Sequence, residues 1–236
     1  MPKIIGITGL AGHGKDTVAQ YLGADLGDST KLTFADPIRK IAADIGLDVI
    51  DRDKKEVIVS RRFGHFELSL IEAIMEELEE YCGEDDLCDL YASFVTILRS
   101  SGYLTTSRQD VLSISPRRFC QLLGTEGGRA VRPTFWVDVF RARAAKVRSK
   151  YVIAPDVRFA NEAAVCDVLI GVRRPSVFPV EPHASEKEIP ELVNGAHVLL
   201  RNDGTLAYLK RCAGVVSVAI KYDIIHVGYD KTTPEH

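Results

Sequence analysis

Short apolar runs recur along the chain at Lys3–Thr8, Lys31–Phe34, Tyr151–Ala154, Val168–Val172 and His197–Leu200. Between them, apolar residues fall at three- and four-residue spacing. Runs apolar on both faces, alternating with helical patterns, predict a parallel sheet covered on both sides. The first helical pattern carries Val18, Ala19, Leu22 and Leu26 on one stripe. The next opens at Asp36-Pro37, which reads as an N-cap followed by the first helical residue, and continues through Ile38, Ile41, Ala42 and Ile45.

From about Leu47 to Ser113 the pattern changes. Leu68–Tyr81 is amphipathic, with Ile71, Ile74, Met75 and Leu78 expected inward and an acidic run on the solvated face. Gly83–Asp86 breaks it, and a second helix is expected from Leu87 to Leu98. The region reads as a helical insertion whose Leu104–Asp110 tail is a loop. Ser115-Pro116 opens a further helix with Phe119, Leu122 and Leu123 buried, ending in a flexible polar segment, Gly124–Arg129. Pro133-Thr134 starts a helix through Trp136, Val139, Phe140, Ala144 and Val147. The last helical stripe is Leu206, Leu209, Ala213, Val216 and Ile220, and Asp230–His236 reads as a frayed end.

A chain of 236 residues can bury one large core. Lys and Arg number 30 against 33 Asp and Glu, a net charge of −3, so no global basic field argues for nucleic-acid binding. Local clusters at Arg117-Arg118, Arg129, Arg132 and Arg173-Arg174 suit a small anionic ligand better than a polyanion, although a solvated surface face is the plain alternative for any pair. The five cysteines are widely spaced with no ligand-type pairing, so neither a disulfide framework nor a zinc site is indicated. With no signal peptide or long apolar span, no membrane role is expected and a cytoplasmic setting is the default, the host cytoplasm if the protein is viral.

The most specific chemistry lies just after the first apolar run, in Gly9-Leu10-Ala11-Gly12-His13-Gly14-Lys15. Strand, glycine-rich loop and helix with a lysine at the helix start form the pattern that cradles a polyphosphate. Gly12, His13, Gly14, Lys15, Asp16 and Thr17 are thus candidate polyphosphate ligands, with Lys15 able to follow the transferred phosphoryl group. Asp16 stands where a hydroxyl residue is usual, and Thr17 follows one place later. Magnesium ligation is therefore left open between Asp16 and Thr17, directly or through water.

Tyr151–Glu162 is the second candidate: an apolar stretch ending in Asp156, with Arg158 two residues on. Charges at the carboxyl end of a parallel strand lie where ligands of α/β sheets bind. Asp156 can organise Mg2+, Arg158 can neutralise phosphate and Glu162 can orient Arg158; helix capping by the same residues is the simpler reading. The third candidate is Arg129–Asp138. Arginine forks hold phosphate, the Trp136 indole can stack on a base, and Asp138 can accept from it. Val139 and Phe140 equally make Trp136 an ordinary core residue. Asp36, His13 and the loop residues His183, Ser185 and Glu186 carry weaker signals.

These residues together resemble the bacteriophage deoxynucleoside monophosphate kinases, P-loop kinases akin to adenylate and guanylate kinases. The matching pieces are Gly12–Thr17, Phe34–Lys40, Leu123-Gly124-Thr125, Arg132 with Trp136 and Asp138, Asp156–Phe159 with Asn161 and Glu162, and the later His183 to Glu186 and Asn202–Thr205. The match runs to about residue 215, least well over 47–113. The resemblance implies an α/β P-loop three-layer sandwich with a central mostly parallel sheet. It would be a single domain over 1–236 with a helical insertion at about 47–113 and a lid at about 173–195. It implies transfer of the ATP γ-phosphoryl group to a deoxynucleoside monophosphate with Mg2+. Lys15, Arg132, Arg158 and Asp156 would be catalytic, and Asp16, Thr17 and Asp156 would serve the metal. Asp36, Thr125, Arg129, Arg132, Trp136, Asp138 and Glu162 would hold the acceptor, with Arg117-Arg118 or Arg173-Arg174 able to replace any of the arginines. Phosphomevalonate and dephospho-coenzyme A are rival acceptors, and an ATPase switch is a rival class. The partners expected are small nucleotides and no nucleic acid; the insertion would shape the acceptor pocket or a homodimer interface.

Overall fold

In a computed structural model of the chain, described over residues 1–51, 53–105, 110–177 and 187–225, the elements run in this order. They begin with β1 (Lys3–Thr8), α1 (Lys15–Leu26), β2 (Ser29–Lys31) and α2 (Asp36–Asp44). Next come β3 (Val59–Arg62), α3 (Phe63–Leu78), α4 (Glu84–Ser100), β4 (Leu104–Thr105) and β5 (Val111–Ile114). Then follow α5 (Pro116–Gln121), α6 (Gly128–Val131), α7 (Phe135–Lys146), β6 (Tyr151–Val157) and α8 (Ala160–Ala163). The order ends with β7 (Val168–Arg173), α9 (Ile189–Asn194), β8 (Val198–Arg201) and α10 (Leu206–Lys221). By packing they form two units, one of residues 1–34 with those from 143 onward, the other of residues 35–142.

The first unit is an α/β sandwich around a five-stranded, wholly parallel sheet in the order β2-β6-β1-β7-β8. Alternation along β1 sends Ile5 and Ile7 to one face. There they meet Val18, Ala19 and Leu22 of α1 and Leu209, Ala213 and Val216 of α10. The opposite face receives α9, whose Ile189, Leu192 and Val193 are buried. Gly171 lies on that side, where an added Cβ would stand 2.9 Å from the Val193 carbonyl oxygen. The three-layer reading holds. The second strand is shifted: pairing covers Ser29–Lys31 and one further bond, Leu32 to Ile153, before the chain turns at Phe34.

The second unit contains an antiparallel three-stranded sheet, β3-β5-β4, beside its helices. The expected insertion contains two long helices, α3 and α4, and beside them strands that the sequence reading did not include. The strands are short, and most of the β3 side chains are exposed, so no alternating apolar signal marks them. The core gathers Phe94, Phe119, Leu90, Leu122 and Trp136, with Phe94 and Phe119 edge-on at 4.9 Å. α3 begins and ends earlier than the spacing predicts, and Met75 is 45 % exposed rather than inward. The expected break falls at residues 79–83, and Glu84, Asp85 and Asp86 make the first turn of α4, where carboxylates suit the helix dipole. The polar Gly124–Arg129 segment is also helical, a π turn at Leu122–Gly127 running into α6. Residues 106–109, 178–186 and 226–236 lie outside the described residues, and with them His183, Ser185, Glu186, the expected frayed end and part of the expected lid. The 189–194 part of that lid is the packed helix α9. No helix among the described residues is long and apolar enough to cross a membrane.

Candidate active site

In the first unit, β1 ends in Thr8 and the chain enters α1 through Gly9–Gly14. Gly12 and Gly14 have φ of 78° and 95°, which non-glycine residues adopt only with strain. Gly14 also has no room for a side chain, since a Cβ would lie 2.6 Å from Asn202 Nδ2. The Asn202 amide, just past β8, donates to the His13 carbonyl at 3.0 Å. The His13 ring reaches the other neighbouring strand, its Nδ1–H donating to the Val172 carbonyl at 3.1 Å. The loop is thus fastened to the C-terminal ends of β7 and β8. Thr8 Oγ1 and His13 Nε2 are buried with no hydrogen-bond partner among the described residues.

Lys15 starts α1, and its ammonium folds back to donate to the carbonyls of Gly9 at 2.6 Å and Leu10 at 3.0 Å. Those carbonyls hold the cation over the loop, where an anion would meet both Lys15 and the α1 N-terminus. Thr17 is half-buried on the first turn. Asp16 is exposed and its carboxylate pairs with Lys31 at 3.1 Å. Asp156 lies near the end of β6; the register sets Ala154 beside Gly6 and Val157 beside Thr8, so Asp156 is level with the start of the loop. Its Oδ1 accepts the Phe34 N–H at 3.1 Å. Arg158 follows, half-buried. Glu162, 5 % exposed, accepts the backbone N–H groups of Arg158 at 2.8 Å and Phe159 at 3.3 Å. Glu162 thus fixes the turn that carries Arg158 by capping α8. Thr17 and Asp156 supply hard oxygen donors of the kind Mg2+ takes, and no cluster of three or more metal-type side chains occurs among the described residues. Few protein ligands is the usual arrangement when substrate phosphates and water complete the magnesium shell.

The second unit holds the remaining candidates. Asp36 is the first helical residue of α2 rather than its N-cap, which is Ala35; Asp36 faces Arg39 at 3.4 Å. Thr125 lies half-buried in the π turn, a distortion that often marks functional sites. Arg129 donates to the Pro133 carbonyl at 3.3 Å. Arg132 is engaged by two carboxylates: its Nε donates to Asp138 at 2.9 Å, and its Nη1 pairs closely with Asp86 of α4. Thr134 also donates to Asp138, and the Arg132 guanidinium lies 5.1 Å from the Phe135 ring centroid. Trp136 is 4 % exposed, edge-on to Phe135 at 4.9 Å, with its indole nitrogen against Gly128. Its place is the core one, with no open face for a base. Burial raises the Cys82 thiol, beside Asp86 and Arg132, to about 11.

Two partners escaped sequence reading. Asn202 enters the sequence reading only within the matching Asn202–Thr205 piece, with no role, although a polar residue just past a parallel strand lies at the ligand end of such a sheet. Asp86 reads only as part of the Gly83–Asp86 break, and nothing local marks its pairing with a residue 46 positions away.

No protein-family model matches the chain. A curated protein, the deoxynucleoside-5'-monophosphate kinase of Escherichia phage T5, is 29% identical over 183 residues, which cover 69% of this chain and 70% of that protein. The resemblance carried by the glycine loop and the Asp156–Glu162 box therefore has a counterpart in sequence at large: over two thirds of its length, the chain is similar to a phage deoxynucleoside monophosphate kinase.

Proposed function

We propose that the protein is an ATP-dependent kinase that phosphorylates deoxynucleoside 5'-monophosphates to diphosphates, releasing ADP. The observation that carries the donor half is the loop itself: two left-handed glycines, Lys15 poised above the Gly9 and Leu10 carbonyls, and a helix N-terminus beyond. The acceptor class rests on the phage relative.

On this reading the backbone N–H groups of Gly12–Thr17 hold the ATP phosphates, and Lys15 exchanges its two carbonyl partners for phosphate oxygens. Asn202 and the His13 ring keep the loop in shape before ATP arrives. Mg2+, when bound, neutralises charge on the β- and γ-phosphates, and Thr17 and Asp156 are the residues that would hold it or its waters. Asp16, turned to Lys31, serves the loop from outside. Arg158 meets the charge of the transferring group from a turn that Glu162 keeps rigid. From the second unit, Asp138, Thr125, Arg129 and Asp36 serve the acceptor, while buried Trp136 supports Arg132 and Asp138 from within the core. Phosphoryl transfer asks for positioning and charge neutralisation more than covalent chemistry, and these residues are of that kind.

Product analysis after incubation with Mg-ATP and each of the four deoxynucleoside monophosphates tests the proposal, with AMP, phosphomevalonate and dephospho-coenzyme A in parallel. A deoxynucleoside diphosphate from at least one acceptor is expected. Transfer only to phosphomevalonate or dephospho-coenzyme A would move the protein to another small-molecule kinase class. ATP turnover that no acceptor stimulates would make it an ATPase switch.

A further inference from the structure

The acceptor's phosphate needs a net positive site, and the Arg132 cluster is not one. Two carboxylates, Asp86 and Asp138, flank that single guanidinium, so the group carries excess negative charge. A second basic feature of the same unit is left without a role: Arg117-Arg118 on α5. They line a cavity of about 350 Å³, at the lower end of the size of small-ligand sites. Gln121 lies one turn further along the same helix and also lines it. Tyr103 and Ile58 supply an apolar wall, and Ile58 is 69 % exposed, an apolar side chain left in water at the pocket.

The two arginines are held differently. Arg118 is built in: its Nε donates to the Tyr103 hydroxyl at 3.2 Å, and its guanidinium lies 5.7 Å from that ring's centroid. Its guanidinium also lies 3.9 Å from the carboxyl of Glu126, whose pKa burial raises. Arg117 pairs with Glu56 at 2.9 Å, but both side chains are about half exposed, at 47% and 55%. Such exposed pairs are weak and screened by salt. A phosphate dianion, which takes the planar guanidinium fork bidentately, can displace Glu56. The pocket's lining holds the two guanidinium groups and the one carboxylate of Glu56.

We propose that the Arg117–Arg118–Gln121 pocket is the anion end of the acceptor site, taking the 5'-phosphate of the nucleoside monophosphate with its nucleoside along Tyr103 and Ile58. Arg117 is the phosphate ligand, Arg118 is locked by Tyr103 as a fixed charge behind it, and Glu56 is a counter-ion that leaves when the acceptor binds. This rests on the kinase reading and moves the acceptor from Arg132, Asp36, Thr125, Arg129 and Asp138 to this pocket, whose lining includes none of those residues.

The test is the pair Arg117→Gln and Glu56→Gln, read by steady-state kinetics and by equilibrium dialysis of a radiolabelled deoxynucleoside monophosphate without ATP. Arg117→Gln is expected to raise the acceptor's KM and Kd by about tenfold or more, with ATP's KM unchanged. Glu56→Gln is expected to lower both acceptor constants by about threefold, a gain that damage to the fold cannot produce. Acceptor constants unchanged in both variants, in an enzyme that makes the diphosphate, would overturn the pocket and leave the kinase reading standing. A wild-type protein that binds the monophosphate in an Arg117-dependent way yet transfers nothing to it would support the pocket and overturn the kinase reading.

Discussion

On the proposed reading, the two units prepare for phosphate in opposite ways. In the first, the binding surface is backbone: Gly12 and Gly14 in left-handed conformations, N–H groups at the start of α1, and side chains such as Asn202 that hold the loop rather than the ligand. In the second, the candidate surface is side-chain charge that is already compensated, Arg132 by Asp86 and Asp138, Arg117 by Glu56. A backbone cradle needs no counter-ion, because its positive potential comes from aligned dipoles. Exposed guanidinium groups need one, and whatever binds must compete with it. The donor side should therefore respond to changes in loop shape, and the acceptor side to changes in charge.

The largest expected effect breaks the donor side. Lys15→Ala removes the ammonium seated on the loop and should lower kcat by about a thousandfold. Circular dichroism should be unchanged, since the partners it leaves are carbonyls at a half-buried surface. Next is Trp136→Ala, which should cost about 3–5 kcal/mol in denaturant unfolding, as for other large-to-small changes in a core. Any rise in the acceptor's KM would then come with lost stability, whereas a large rise at full stability would return Trp136 to direct contact with a base. Asn202→Ala should be smaller. It releases one loop bond, costs about 1 kcal/mol of stability and raises ATP's KM several-fold with little change in the acceptor's. A comparable shift in both would show that the loop and acceptor residues are not separable as described.

The smallest effect concerns thiols. Burial raises Cys82 to about 11 and Cys120 to about 12, whereas Cys88 is exposed. At pH 8 a thiol reagent should label Cys88 first and the two raised thiols slowly, because the thiolate is the reactive form. The stability sign also follows. Above the ordinary thiol pKa the unfolded chain loses these protons while the folded one keeps them, so the unfolded state binds fewer protons and stability falls as pH rises toward 11. Denaturation midpoints between pH 8 and 11 check it against the Cys82→Ala variant, whose decline should be shallower.

The contrast between the units also explains what could be read from sequence. β1, the glycine loop and α1 are local: their residues are contiguous, and their glycine pattern has a backbone cause. They fold as predicted, as do the strands at 151, 168 and 198 within a residue or a few. The antiparallel sheet was not legible because β3 is Val-Ser-Arg-Arg, with no alternation to see. The π turn and α6 read as a flexible segment because Gly124, Gly127 and Gly128 look like breakers. Here glycine serves close packing instead: a Cβ at Gly124 would come 2.8 Å from Ile38, and at Gly128 it would run into the Trp136 indole. Asp36 missed its expected capping role because the chain enters α2 one residue sooner. On the acceptor side, Arg132 and Asp138 were picked out by residue type, but their compensation by Asp86 is a tertiary fact with no local sign.

The account's central claim is that the loop at Lys15 donates a phosphoryl group to a nucleoside monophosphate. It is tested most directly with ATP labelled at the γ-phosphate, Mg2+ and an equimolar mixture of the four deoxynucleoside monophosphates. The account predicts label in a deoxynucleoside diphosphate with the wild-type protein and none with Lys15→Ala. Label found only in inorganic phosphate, or left in ATP, would contradict it.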